Sequence, residues 1–327
     1  MRILGQQLQG QGFGIRGRAL LNFSVAPGQA SGPANRSQLP PGAGALRRFL
    51  IFAALLALCF AGPFGNLVRF AFESNLFSYV LLVPFISGYL VWVRRKDVAL
   101  TARGAYLLAA IAAAVGFGLL MAARPGFSGV WIEASGNLLT IQMLSFSFLL
   151  WSGGFVFLGW QTMRALAFPA LFLVFVAPIP LSIVGTLETV LQHASADWSY
   201  RLIELAGIPV YRSGINFHMP GIAFSVAQEC SGIRSTLVLF LSSLVAGHLF
   251  LRTAWRRWVF ASIVIPLGIA RNAFRILVLA VLCARVDPSY IHSSIHRNGG
   301  PVFFVLSLVP FGIILFWLWR TERKGKR

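Results

Sequence analysis

Eight times along this 327-residue chain a run of about twenty residues passes with almost no charged side chain. Each run matches the ~20 apolar residues a helix needs to cross a hydrocarbon core. The runs fall at about 49–70, 75–93, 104–123, 137–160, 165–187, 231–251, 257–284 and 301–319. The expected fold is therefore all-α, a polytopic integral membrane protein of about eight transmembrane helices. Composition agrees: only 11% of residues are charged and 57% are hydrophobic, where a soluble domain carries roughly 25% charged. No polar stretch is long enough to build a core of its own.

The charges that remain are lopsided, 28 Lys+Arg against 9 Asp+Glu, for a net charge of +19. They form short punctuation between the apolar runs and not one patch, which argues against nucleic acid as a partner and for cytoplasmic loop marking. With the N-terminus inside, 19 of the 28 basic residues lie on the cytoplasmic side, in clusters such as Arg94–Lys96 and Arg320–Arg327. Six (Arg69, Arg124, Arg201, Arg212, Arg285 and Arg297) lie opposite. That bias predicts both termini in the cytoplasm. Residues 1–46 are rich in Gly, Gln, Ser and Pro, carry Arg but no acid and lack apolar periodicity. They read as a disordered basic cytoplasmic tail, with the arginines too far from residue 49 for a signal peptide. The membrane domain is expected over 47–320, and a second basic cytoplasmic tail over 321–327.

The long non-spanning segment, 188–229, then lies outside. Its first part places Leu187, Val190, Leu191, Ala194, Trp198, Leu202 and Leu205 at helical spacing, with Glu188, Gln192, Ser195 and Ser199 on the other side. This predicts an interfacial helix lying on the membrane. "INFHMPGIAFSV" (215–226) alternates around a Met-Pro-Gly turn, as a short hairpin would. Helix and hairpin form a small expected lid that runs directly into Cys230.

An ionisable group within a span costs about 2.5–3.5 kcal/mol on insertion scales and needs a reason. Three arginines qualify: Arg234, four residues after Cys230 and so on one helix face with it, and Arg271 and Arg275 in "IARNAFRILV". Span six runs inward from Cys230. Span seven runs outward from about 257, so at ~1.5 Å per residue Arg275 lies about 27 Å along it, towards the outer leaflet. The loop 285–300, with His292 and His296, is outside again. Cys230, Arg234, Asn272, Arg275 and His296 thus share one stratum near the extracytoplasmic surface. The blander readings are apolar filling for Cys59 and Cys283, headgroup snorkelling for a span-end arginine, and structural roles for His193, His218, His248 and His292. Three cysteines make no disulfide framework, and the five histidines form no metal-ligand pattern, so neither metal nor cofactor is expected.

The stratum has a chemistry. A thiolate is the nucleophilic form of cysteine, favoured at a helix N-terminus and beside a cation. Cys230 opens its expected helix with Arg234 one turn away, whereas Glu229 opposes the thiolate and instead pairs with an arginine or with substrate. His296 can move protons between thiol and leaving amine, and Arg275 can stabilise an oxyanion.

These residues resemble the exosortase/archaeosortase family of prokaryotic membrane transpeptidases, in "ECSGIRS" around Cys230, "NAFR" ending at Arg275 and "HRNGG" beginning at His296. "SYVLLVPFISGYLVWVRR" (78–95) and "FPALFLVFVAPIPL" (168–181) resemble the family's second and fifth spans. The resemblance covers roughly 70–320. It implies an inner-membrane enzyme with a Cys230–Arg275–His296 site facing outward. Glu229, Ser231, Gly232, Arg234, Arg271, Asn272 and Gly300 stand as supporting or substrate-binding residues, and membrane lipids surround the site. The substrates it implies are secreted proteins ending in a Pro-Glu-Pro-type motif, a transmembrane helix and an Arg cluster. Cys230 would form an acyl-thioester, and a glycan or lipid nucleophile, or water, would release the product. His296 rather than His292 takes the histidine role because Gly300 follows it at the family's spacing. Two other readings stand beside this one: a transporter with a pathway for anions, and a non-catalytic component of a polysaccharide export system. The first predicts internal repeats, which the sequence lacks; the second has no need of the thiol.

Overall fold

A computed structural model describes residues 43–74, 76–95, 104–124, 135–220, 222–226, 232–287, 290 and 300–324. Apolar helices form wherever the sequence is apolar for long enough, but several of the expected spans are bent. Helices α1 (Ala43–Cys59) and α2 (Ala61–Glu73) meet at 67°. A 3-10 segment, Phe77–Leu82, leads into α3 (Val83–Arg94), whose Pro84 sits in the first turn, where no N–H is needed. Helix α4 (Tyr106–Ala122) packs along α5 (Ser135–Phe157). Small residues let the two backbones approach: a Cβ at Gly116 would stand 2.8 Å from Leu149 Cγ. Ser145 Oγ donates to the Gly116 carbonyl at 2.7 Å and Ser152 Oγ to that of Ala109 at 2.9 Å. Without water to compete, small residues and hydroxyls are what join helices in lipid.

Helices α6 (Gly159–Ala165) and α7 (Ala167–Phe172), the latter prolonged by a 3-10 turn to Val176, are bent by 72°. The expected fifth span, 165–187, is divided further on, between Val176 and Leu181. Proline fixes φ and has no N–H to donate, and Pro178 and Pro180 stop the apolar run, Pro180 preceding the first turn of α8 (Leu181–Leu205). Side chains of α5 hold this corner: Thr140 Oγ1 donates to the Pro178 carbonyl at 2.7 Å, and Asn137 Oδ1 accepts the Leu181 N–H at 3.1 Å.

Along α8, Leu187, Val190, Trp198 and Leu205 are exposed, while Gln192, Ser195 and Ser199 are buried. The side expected to face water is thus the side that faces protein, and Leu191, expected on the lipid side, is buried with it. After α8 come three short strands, β1 (Tyr211–Ser213), β2 (Asn216–Met219) and β3 (Ile222–Ser225), antiparallel in the order β1-β2-β3. The β2–β3 pairing lies where the Met-Pro-Gly turn predicted a hairpin. Strand β1 was not predicted, and it adds a small sheet to an otherwise helical chain. Its turn into β2 uses Gly214 at φ 62°. Arg212 of β1 pairs with Asp197 of α8 at 2.5 Å, and Phe217 and Phe224 stack across β2–β3 at 5.2 Å.

Among the described residues three more helices follow: α9 (Ile233–Phe250), α10 (Ala254–Arg285) and α11 (Gly300–Lys324). Helix α10 is the hub, packed against α8, α9 and α11. The sheet lies on the α8–α10 pair through Phe217, Met219 and Val226 against Ala196, Ile203, Ile276 and Ala280. Arg285 Nη2 caps the end of α8 by donating to the Ala206 carbonyl at 2.8 Å. At the opposite end of α10, Glu322 of α11 accepts from the N–H groups of Arg252 (2.9 Å) and Thr253 (2.7 Å) and from the Thr253 hydroxyl.

Among the described residues five helical segments are long and apolar enough to cross a membrane (77–94, 137–157, 233–250, 254–285 and 300–324), and up to seven if each bent pair is one span. The third expected span is a shorter, 17-residue apolar helix, Tyr106–Ala122. Polarity is inverted relative to a water-soluble protein. Ser145, Ser147, Thr162, Ser195, Ser199 and Ser243 are buried, while Phe72, Phe85, Leu107, Trp258 and Val302 are exposed. The chain is a polytopic, mainly helical integral membrane protein.

Candidate functional site

The turn Arg271–Arg275 of α10 organises the site. Arg271 and Asn272 are buried, Arg275 half-buried. Two pieces of chain seat on this turn, one from each side of the segment that carries the cysteine.

The first is the end of the sheet. The Val226 N–H donates to the Ile215 carbonyl at 3.0 Å, extending the β2–β3 ladder. The Val226 carbonyl in turn accepts from Gln192 Nε2 of α8. Beside it a small cleft opens between Phe224, Ser225 and Val226 on one wall and Asn272, Arg275, Ile276 and Leu279 on the other.

The second is Gly232, which precedes α9 with φ 74°, in the left-handed region that favours glycine. Its carbonyl accepts from Arg271 Nη2 at 3.2 Å, from Ser235 Oγ at 3.1 Å and from the Thr236 N–H at 3.0 Å. A Cβ at Gly232 would stand 2.9 Å from Arg271 Nη2 and 3.4 Å from Asn272 Cγ. Only the smallest residue lets the start of α9 come this close to α10. One turn further on, the Thr236 side chain occupies the space that a Cβ on Gly268 would need, again allowing close approach.

Helix α11 enters at the same level. Phe303, in its first turn, meets Phe274 edge-on with ring centroids 6.2 Å apart. Gly300, the first residue of α11, has open space where a Cβ would stand.

Of the residues expected to act together, the structure gathers Gly232, Arg271, Asn272 and Arg275, and brings the start of α11 beside them. Glu229, Cys230, Ser231 and His296 lie outside the described residues, as does His292. Arg234 lies in the first turn of α9, which begins at Ile233 after the left-handed Gly232, whereas a face shared with Cys230 requires one helix through both residues. Arg234 is exposed; the guanidinium that touches Gly232 is that of Arg271. Of the residues read as structural, Cys59 is exposed on α1 and Cys283 buried in α10. His193 bonds within its own helix, to the Thr189 carbonyl at 2.9 Å. His218 is exposed, and His248 stacks on Phe168 at 3.8 Å. Among the described residues no group of three or more His, Cys, Asp or Glu side chains comes together to hold a metal ion.

The sequence reading missed Gln192, taken as the wet side of an interfacial helix. The signal was present: Gln192, Ser195 and Ser199 form one stripe of a helix whose other side is Leu, Val and Trp, and in lipid such a stripe faces protein. Thr236 and Gly268 carried no such signal, because their contact exists only between helices.

A family model described as transmembrane exosortase matches residues 71–313. That range includes α8, the sheet, α9, α10 and the first turns of α11. No curated protein and no solved structure matches this chain. With the match spanning most of the chain and the whole of the site, the chain belongs to the transmembrane exosortase family, and this membership supports a membrane sortase-like function.

Proposed function

We propose that the protein is a membrane cysteine transpeptidase that cleaves C-terminal sorting signals from secreted proteins. The signal is a Pro-Glu-Pro-type motif followed by an apolar helix and a basic cluster. Cys230 attacks the scissile carbonyl, the peptide bond breaks with release of the C-terminal helix as an amine, and an acyl-thioester remains. A glycan or lipid hydroxyl or amine at the cell surface then attacks the thioester and regenerates the thiol. Arg275 stabilises the oxyanion of the tetrahedral intermediate, and His296 carries protons between thiol and leaving amine. Both termini lie in the cytoplasm of a prokaryotic inner membrane with the site outside, and the α8–sheet unit acts as its lid. Counting each bent pair and the Tyr106–Ala122 helix as one crossing each gives eight spans, an even number that returns the C-terminus to the side of the N-terminus.

The observation that carries this reading is the double seating on one turn of α10. Gly232 rests on Arg271 and Asn272, and Val226 borders the same cleft as Arg275. Cys230 is two residues from Gly232, and consecutive Cα atoms are about 3.8 Å apart, so covalent reach keeps it within about 8 Å of that anchor. The test is a reporter secreted with the three-part signal and an N-terminal tag, coexpressed with the wild-type chain or with Cys230→Ala. The wild type is expected to shorten the reporter and Cys230→Ala to leave it whole. A reporter shortened equally by both removes cysteine catalysis.

A further inference from the structure

Strand β3 has an open edge. The ladder's hydrogen bonds fix which groups face it: Val226 donates to Ile215, and in the same register Phe224 opposes Phe217 and Ile222 opposes Met219. Antiparallel strands alternate bonded and non-bonded pairs, so the pairs Asn216–Ser225 and His218–Ala223 are the non-bonded ones. The N–H and C=O groups of Ala223 and Ser225 therefore point away from β2. Among the described residues β3 has no second strand partner, and Ala223 and Ser225 are both exposed. Unpaired strand edges invite another chain, and this one is not blunted by Lys, Pro or a bulge between Ile222 and Ser225.

The edge also leads somewhere. Ser225 and Val226 form one wall of the cleft that Arg275 lines, and among the described residues no acidic one lines it. From Ser225 the chain reaches Cys230 in five residues. A peptide laid along β3 would thus lie beside the cleft that Arg275 lines, on the strand whose chain continues to Cys230. We infer that β3 is the substrate-binding strand: an extended segment of the secreted protein next to its scissile bond adds to the edge as a fourth strand, bonding to Ala223 and Ser225. This rests on the transpeptidase reading and specifies how that site holds its substrate. Strand addition draws affinity from the backbone and leaves side-chain choice to pockets. It also suits a site that must hold an unfolded tail still.

The test uses the full chain in native membranes with the three-part reporter. A photo-crosslinking benzoyl-phenylalanine replaces Ser225 or, on the far edge, Tyr211, in a Cys230→Ala background that retains uncleaved reporter. The Ser225 probe is expected to capture the reporter and the Tyr211 probe to leave it. A second variant, Ala223→Pro in the otherwise wild-type chain, removes the outward N–H without touching the β2–β3 ladder, where edge prolines are tolerated. Loss of one such bond should slow reporter trimming about two- to tenfold, with the unfolding midpoint unchanged. If the wild type trims the reporter but the Ser225 probe captures none, captures a second copy of this chain, or does no better than Tyr211, strand addition fails and the transpeptidase reading stands. Full-rate trimming by Ala223→Pro has the same meaning. A reporter that the wild type leaves whole removes both.

Discussion

Gly232→Ala offers the sharpest test of how the site is assembled. Two costs follow from the structure. At φ 74° an L-residue with a Cβ loses roughly 1–2 kcal/mol to steric crowding. The new methyl would also stand 2.9 Å from Arg271 Nη2, so the guanidinium must shift and its 3.2 Å bond to the Gly232 carbonyl is lost. A hydrogen bond from a charged donor is worth about 1.5–3 kcal/mol. The two effects share a contact and do not simply add; a destabilisation of about 3 kcal/mol is expected. For a chain of this size that is a fall of roughly 5 °C or more in thermal midpoint in detergent, with reporter trimming falling alongside it. Gly300→Ala is the control: its Cβ would meet nothing within 4 Å, and a change of less than about 0.5 kcal/mol is expected. The reasoning is refuted if Gly232→Ala melts with the wild type, or if the two glycine variants are equally damaging.

Three further outcomes follow from other contacts. Gly268→Ala drives a methyl into Thr236 and should cost about 1–3 kcal/mol, most of it recovered in the Gly268→Ala/Thr236→Ala double variant; a strictly additive double-mutant cycle in thermal unfolding would rule out the contact. Glu322→Ala strips acceptors from the Arg252 and Thr253 N–H groups at the start of α10 and should destabilise by about 1–2 kcal/mol, as loss of an N-cap does. Glu322→Gln, keeping one carbonyl oxygen, should recover part of that in the same melt. Gln192→Ala releases the Val226 carbonyl just before the cysteine segment; reporter trimming should fall about tenfold while Cys230 stays open to a membrane-impermeant maleimide, and trimming at the wild-type rate would show that this anchor does not position the site.

Much of the molecule is legible residue by residue. A bilayer accepts few charges and demands long apolar helices, so the class of fold, the existence of most spans and the Met219-Pro220-Gly221 hairpin are all visible locally. Arg271 and Arg275 stand out for the same reason, since charge inside an apolar run is conspicuous. Bends are less visible. Hydropathy averages over a window and passes unbroken through the 67° bend, because a helix can turn sharply without any loss of apolar content. Strand β1 escapes because three residues, Tyr211–Ser213, are too few to show an alternation.

What only the tertiary structure decided is which neighbours each face meets. Sequence spacing placed Arg234 on one helix face with Cys230, but α9 begins only at Ile233 after the left-handed Gly232, and the guanidinium that reaches Gly232 is that of Arg271 from another helix. Spacing likewise assigned Gln192 to water, yet the exposed Leu187, Val190 and Trp198 surround a buried polar stripe turned to α10. The sequence predicts that Cys230, Arg234, Asn272, Arg275 and His296 share one depth of a membrane protein, because depth is read from chain length at a constant helical rise. It could not determine which of them touch, because contact depends on helix rotation and on the missing side chains of Gly232 and Gly268, and those act only when two helices meet.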